Sequence, residues 1–118
     1  MDLKEMYQIL DASLDVAIRN HTDEAELLHQ LAQFRESNPY REIMEAYRAH
    51  DVINLYEAAN SLREISEALA FNKLADAAHI LCTVTRYKTS FNDEEVNPLV
   101  ECIVSEYHKV INLLNDLA

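Results

Sequence analysis

Apolar residues recur at every third or fourth position along almost the whole chain, which is the spacing of one face of an α-helix. Short polar segments interrupt this pattern, namely Asn20-His21-Thr22, Ser37-Asn38-Pro39, Asp51, Asn72 and the run 92–97. The pattern predicts a short first helix over 2–10 that continues or restarts over 11–19. In all it predicts three long helices, one helix of middling length, and short helices at the front of the chain.

Polar residues at these boundaries are expected to begin the helices. Thr22, Asn38 and Asp51 are predicted N-caps, because a side-chain oxygen there accepts a hydrogen bond from an otherwise unpaired backbone N–H group. Pro39 suits a first helical position, and Pro98 is predicted to open the last helix or to lie early in it.

Each predicted helix has one apolar face, which must be buried against a neighbour. The buried positions are predicted to be Leu27, Leu28, Leu31, Phe34; Tyr40, Ile43, Met44, Tyr47; Val52, Leu55, Tyr56, Ala59, Leu62, Ile65, Leu69; Leu74, Ala77, Ala78, Leu81, Val84; and Leu99, Ile103, Tyr107, Val110, Leu114, Leu117. Short connections make consecutive helices antiparallel. We therefore predict an all-α fold, an antiparallel up-down four-helix bundle with short N-terminal covering helices.

The composition favours a single helical domain over 1–118. The 118 residues include no glycine and only two prolines, whereas sheets and tight hairpins usually need glycine in their turns. No run of about 18 apolar residues is present, and the first residues lack the basic and apolar segments of a signal peptide. A cytoplasmic location without a membrane span is therefore expected.

Charge and chemistry narrow the range of functions. Ten basic against twenty-one acidic residues give a net charge of −11, which repels the phosphates of nucleic acids and anionic membranes. Cys82 and Cys102 are expected to be reduced thiols. The five histidines form no i,i+4 pair, and phosphate or dinucleotide loops need glycine. No metal, cofactor or enzymatic activity is expected.

One stretch of the central helix, Ala59-Asn60-Ser61-Leu62-Arg63-Glu64, resembles a known signature. The histidine phosphotransfer (HPt) family carries Ala-His-x-Leu-Lys-Gly, then a small residue two positions on and an apolar-Gly pair three further along. Ala59 and Leu62 match, Ser66 is the small residue, and Leu69-Ala70 stands at the apolar-Gly pair.

Four further segments extend the resemblance over nearly the whole chain. Phe34 to Tyr40 resembles the turn before the family's second bundle helix, and Glu45 to Asp51 resembles the segment that leads into its active helix. Phe71-Asn72-Lys73-Leu74 resembles the segment that follows that helix. Leu3 to Tyr7 looks like the short N-terminal segment of small standalone bacterial members. The resemblance implies a phosphorelay module of two-component signal transduction. Its expected partners are a response-regulator receiver domain or a histidine-kinase domain, and the protein is expected to be a monomer or weak dimer.

Two substitutions in the signature remove the chemistry that the family performs. Asn60 replaces the acceptor histidine, and an amide nitrogen has no available lone pair for attack on phosphorus. Glu64 replaces the glycine and places a like charge beside the phosphoryl position, which costs about 1–3 kcal/mol at i,i+4 spacing. Arg63 keeps the cation. We therefore predict a phosphotransfer-inactive module whose binding face is Tyr56, Asn60, Arg63, Glu64 and Glu67.

Two alternatives stay open at this stage. Ala78-His79-Ile80-Leu81 also reads Ala-His-x-Leu, so His79 is a second candidate acceptor, although Cys82 and Thr83 replace Lys and Gly and only thirty-nine residues follow it. The chain is otherwise a structural or adaptor helical bundle without any link to phosphorelays.

Overall fold

Seven helices make up most of residues 1–117, the part of the chain that the computed structural model describes. They are α1 (Leu3–Ile9), α2 (Leu14–Arg19), α3 (Glu24–Glu36), α4 (Pro39–Arg48), α5 (Val52–Ala68), α6 (Asn72–Thr85) and α7 (Asp93–Asp116). Helix α5 packs against α4 and α6, α6 against α7, and α3 against α7. The predicted all-α class is confirmed. Helix α1 lies within one residue of the predicted range at each end, whereas α2 begins three residues later than the predicted restart and ends with it at Arg19. None of the described helices is long and apolar enough to cross a membrane.

The helices begin close to the predicted boundaries. Asp51 caps α5, because its Oδ1 accepts a hydrogen bond of 3.1 Å from the Asn54 amide. The prediction of Thr22 as a cap is wrong: Asp23 Oδ1 accepts from the Glu26 amide at 2.9 Å, and a carboxylate also interacts favourably with the positive end of the helix dipole. Asn38 precedes α4 without a side-chain capping bond.

Pro98 lies in the second turn of α7 rather than at its start. The helix already begins at Asp93, where Asn92 Oδ1 accepts a hydrogen bond of 2.8 Å from the Glu94 amide. The missing N–H of Pro98 therefore leaves the Glu94 carbonyl without its usual i+4 donor.

Three helices end in a left-handed residue even though the chain has no glycine. The φ angles are 53° at Asp11, 54° at His50 and 59° at Ala70. In each case the next amide bonds back across the turn, as in a Schellman motif: Ala12 N to Tyr7 O, Asp51 N to Ala46 O, and Phe71 N to Ser66 O, each at 2.9 Å.

The core agrees with the predicted apolar faces at most positions. The largest fully buried side chains include Phe34, Ile43, Leu55, Leu62, Leu74, Leu81 and Ile103. Leu28 was predicted to be buried but is 43% exposed, because it lies about 100° around α3 from the buried Leu27. Tyr56, Ile65 and Val84 are half-buried at the edge of the core.

The first two helices cover the end of α5. The Tyr7 hydroxyl donates to the Leu69 carbonyl at 2.8 Å, and Asn20 Nδ2 donates to the Ala68 carbonyl at 3.2 Å. The last carbonyls of a helix have no intrahelical partner, so these side chains satisfy them and fix α1 and α2 against the central helix.

Aromatic side chains join α4 to α7. The rings of Tyr40 and Tyr107 stack with centroids 3.9 Å apart and planes 3° from parallel. At the other end of α4, His50 Nε2 lies 2.8 Å from Asp93 Oδ1, and its ring stacks on Phe91. Helix α4 is therefore tied to α7 at both of its ends.

Candidate functional site

A groove of about 300 Å³ lies between α5 and α6 and contains most of the predicted site. Its α5 wall is formed by Tyr56, Asn60 and Arg63, and its α6 wall by His79, Cys82, Thr83 and Arg86. Tyr56, Asn60 and Arg63 are spaced four and three positions apart, and the α6 residues follow the i, i+3, i+4, i+7 pattern, so each set lies on one face of its helix. Below, this site is called the α5–α6 groove.

The five predicted binding residues do not all lie in this groove. Tyr56, Asn60 and Arg63 line it, whereas the carboxylates of Glu64 and Glu67 lie outside its lining, on the adjacent surface of α5. His79 was considered as an alternative to Asn60, yet both side chains line the same groove from opposite helices. The two candidate residues, Asn60 and His79, therefore belong to one site in the structure.

Hydrogen bonds order the α5 wall before any partner binds. Arg63 Nη2 donates to Asn60 Oδ1 at 2.8 Å, and Arg63 Nη1 donates to the two carboxylate oxygens of Glu67 at 3.0 and 3.2 Å. Asn60 Nδ2 donates to Glu64 Oε1 at 3.3 Å. We call these four residues the α5 ladder. The hydrogen bond with Glu67 raises the pKa of Arg63, with desolvation opposing it.

The α5 ladder explains what residue 60 can do chemically. Both polar atoms of the Asn60 amide are hydrogen-bonded, the oxygen as an acceptor and the nitrogen as a donor. An amide nitrogen that donates in this way offers no lone pair to a phosphorus atom. Glu64, whose side chain is 65% exposed, keeps a carboxylate within hydrogen-bonding distance of the Asn60 amide.

The α6 wall carries groups that the ladder does not use. His79 is exposed, and its ring makes no hydrogen bond within residues 1–117, while the Thr83 hydroxyl donates to the His79 carbonyl at 3.1 Å. Arg86 forms no salt bridge in this part of the chain, and its guanidinium lies 5.0 Å from the centre of the Tyr87 ring. Burial raises the pKa of the Cys82 thiol, although Arg63 opposes that shift.

Sequence reasoning missed Thr83 and Arg86 as site residues. The signal was present, because positions 79, 82, 83 and 86 follow the i, i+3, i+4, i+7 spacing of one helix face. The pattern is not distinctive by itself, because His79, Thr83 and Arg86 resemble an ordinary solvated surface. Only the packing of α6 beside Asn60 shows that they face the predicted site.

A second groove, of about 420 Å³, lies between α4 and α5 and is acidic. Glu42, Glu45, Asp51 and Glu57 line it over a floor that includes alanines. No sequence motif indicated it, because its carboxylates come from two helices. Over residues 1–117, no three His, Cys, Asp or Glu side chains converge closely enough to hold a metal ion.

Both cysteines are free thiols, as expected from the sequence. Cys82 is buried beside the α5–α6 groove and Cys102 is exposed on α7.

Comparisons with known proteins found no relative for the chain. No protein-family model matches it, and searches of curated proteins and of solved structures gave no match.

Proposed function

We propose that this protein is an HPt-like phosphorelay module that binds a receiver or histidine-kinase domain without accepting a phosphoryl group. In this proposal α4 to α7 form the up-down four-helix bundle, and the helices before them cover it. The observation that carries the proposal is the α5 ladder, an ordered polar face halfway along the central helix with Asn60 at the acceptor position.

The order of the helices supports the same assignment. Asp51 caps α5, the signature-like stretch lies in its middle, and Phe71 follows its end directly before α6 begins at Asn72. These are the positions at which the sequence resembles the family. Ser66, at the small-residue position of the signature, is fully buried, as a residue in close helix packing should be.

The surface beside the groove supports protein binding. Ile53 is 67% exposed and Tyr87 is 91% exposed, and both border a shallow depression of about 190 Å³. Tyr56 and Arg86 line this depression as well as the α5–α6 groove, so the two are continuous. Exposed apolar side chains beside arginine are typical of protein-binding surfaces.

A binding and labelling experiment tests the proposal. Purified receiver and kinase domains from the same genome are phosphorylated with labelled phosphate and mixed with this protein. We expect saturable binding to at least one domain and no acid-labile label on this protein. Acid-labile label would overturn the inactive assignment, and failure to bind any of the domains would overturn the docking function.

Variants locate the binding face in the same assay. Arg63→Glu reverses the charge of the ladder and should weaken binding by about tenfold or more, a loss of about 1.4 kcal/mol. Arg41→Glu is the matched control, because Arg41 lies on α4, 67% exposed and paired with Glu45. Equal effects of the two variants would place the binding surface elsewhere.

His79 supports a second candidate function, active phosphotransfer from α6. Its ring is exposed in the groove and makes no hydrogen bond within residues 1–117, so a ring nitrogen is accessible for attack on phosphorus. Incubation with phosphoramidate followed by mass spectrometry tests it. A phosphoryl adduct that is lost in His79→Gln would support this function, and an unmodified wild-type protein would exclude it.

A further inference from the structure

We infer that the α5–α6 groove is a non-covalent binding site for a phosphoryl group, with Arg86 and Arg63 as its cations. The inference rests on the proposed function, and it specifies what the groove would recognise on a phosphorylated receiver, namely an acyl phosphate. Free phosphate shares the same chemistry.

The side chains that line the groove differ in charge from the molecule as a whole, although Arg63 is paired with Glu67 just outside the lining. The chain has twenty-one acidic against ten basic residues, yet two arginines and no acidic residue line the α5–α6 groove among the described residues. The neighbouring groove between α4 and α5 has four carboxylates in its lining. A concave site of one sign concentrates its field and attracts ligands of the opposite charge.

Arg86 is the cation available to a ligand. It has no carboxylate partner in residues 1–117, and a guanidinium presents N–H donors in a planar fork that matches two phosphate oxygens. Arg63 differs, because Glu67 and Asn60 hold it in position. Arg63 therefore offers a fixed positive charge on one wall, and Arg86 offers free donors on the other.

The remaining groups of the groove suit an anion. The His79 ring can donate an N–H, and the Thr83 hydroxyl already donates to a backbone carbonyl. The Cys82 thiol stays neutral because burial raises its pKa, so it adds no negative charge. Glu64 and Glu67 lie outside the lining. A volume of about 300 Å³ is ample for a phosphoryl group.

Binding without transfer follows from the α5 wall. Asn60 has no nucleophilic nitrogen, so α5 offers no acceptor, and a phosphoryl group held by Arg86 on the opposite wall stays bonded to its carrier. The module would thus distinguish a phosphorylated partner from an unphosphorylated one by affinity, with no phosphorus–oxygen bond broken.

Titration of the full chain with small phosphates tests the site. ¹H–¹⁵N spectra that include arginine side chains are recorded with inorganic phosphate, with acetyl phosphate, and with sodium chloride at matched ionic strength. We expect saturable shifts at residues 79–86 and at Arg86 Nε with both phosphates. Shifts that do not saturate, or that chloride reproduces, would overturn the inference.

Two arginine variants make the test specific. Arg86→Gln should weaken phosphate binding at least fivefold, whereas Arg41→Gln, which changes a distant arginine on α4, should leave it unchanged. Because Arg86 is exposed at the end of α6, its replacement should leave the fold intact, which the spectra also report. Equal binding by Arg86→Gln and wild type would overturn the assignment.

Further measurements distinguish the two possible phosphate ligands from each other, and the anion site from the proposed docking function. Tighter binding of acetyl phosphate than of phosphate supports an acyl phosphate as the ligand, and equal binding supports free phosphate. A covalent phosphoryl adduct on His79 would overturn non-covalent recognition. Phosphate binding without binding to any receiver would refute the docking function alone, and receiver binding without phosphate binding would refute the anion site alone.

Discussion

At the scale of single residues, the amide of Asn60 decides the chemistry of the middle of the central helix. Asn60 is held by Arg63 on one side and Glu64 on the other, so the position is occupied by a paired polar group rather than a free nucleophile. The carboxylate of Glu64 is a second and independent obstacle to transfer, because it would repel a phosphoryl group bonded to residue 60 itself.

If the proposed function holds, a histidine introduced at residue 60 alone should therefore not give transfer. We expect Asn60→His to take no acid-labile label from phosphorylated receivers, and Asn60→His with Glu64→Gly to take label, because the double variant removes the like charge. Glu64→Gly alone is the control, and its helix loses about 0.5–1 kcal/mol through the glycine. Equal labelling of the single and double variants would show that Glu64 is no obstacle.

Tyr7 should make the protein sensitive to alkali. Burial raises the pKa of Tyr7 above its ordinary value of 10.0. The folded state therefore keeps the proton when the unfolded chain loses it, and stability falls as pH rises above about 10. Urea unfolding from pH 8 to 11 should show this fall in the wild type and a smaller one in Tyr7→Phe.

The same substitution should also lower stability at neutral pH. It leaves the buried Leu69 carbonyl without its donor, at a cost of about 1–3 kcal/mol. Tyr87→Phe, at a side chain that is 91% exposed, is the control. It should change neither the stability at neutral pH nor its fall at alkaline pH. An identical pH profile for all three proteins would contradict the role of Tyr7.

At the scale of helices, the ends are more informative than the interiors. A helix that ends in a left-handed residue usually has glycine there, and this chain uses Asp11, His50 and Ala70 instead. A residue with a β-carbon costs about 1–2 kcal/mol in that conformation. Each of these ends therefore holds strain that glycine would remove.

Replacing Asp11 by glycine should accordingly stabilise the protein. Asp11 is exposed with a φ of 53°, so we expect a gain of about 0.5–1 kcal/mol in unfolding free energy, after the entropy cost of glycine in the unfolded chain. Asp76→Gly is matched in residue type, charge and exposure but lies inside α6. Asp76→Gly should lower the unfolding free energy. A decrease in both variants would contradict the strain argument.

The presence of the helices was predictable from the sequence, and the residues at which several of them begin followed from capping chemistry. Asp51 and Asn72 mark the starts of α5 and α6 to within one residue. Thr22 failed because two adjacent residues could both cap, and the carboxylate of Asp23 is the better acceptor at a helix start. The left-handed ends were beyond prediction, because without glycine nothing in the sequence marks them.

The site was predictable on one helix and not across two. Periodicity placed Tyr56, Asn60 and Arg63 on one face of α5, and all three line the α5–α6 groove. Arg86 and Thr83 enter through the packing of α6 on α5, and the relative rotation of two helices is set by side-chain fit that a one-dimensional pattern does not contain.

At the scale of the whole molecule, the negative charge is spread unevenly. A net charge of −11 opposes compaction through self-repulsion, and the acidic groove between α4 and α5 concentrates it. The α5–α6 groove is the local exception. Salt should affect these two regions differently, by relieving repulsion in the first and weakening anion binding in the second.

Added salt should therefore raise stability. We expect unfolding free energy to increase by on the order of 1 kcal/mol between 20 mM and 500 mM sodium chloride, as screening shortens the range of repulsion. The double variant Glu42→Gln with Glu57→Gln removes two charges of the acidic groove and should show a smaller increase. Identical salt dependence in both proteins would place the repulsion elsewhere.

The bond between Tyr7 and Leu69 also has a consequence for synthesis on the ribosome. The two residues are 62 positions apart, and Asn20 bonds to a carbonyl 48 positions later in the chain. Chains emerge N-terminal end first, so α1 and α2 leave the ribosome well before the end of α5 exists. Through that interval their side chains lack the α5 carbonyls that they bond in the folded protein, so α1 and α2 can take their final places only after the end of α5 has been synthesised.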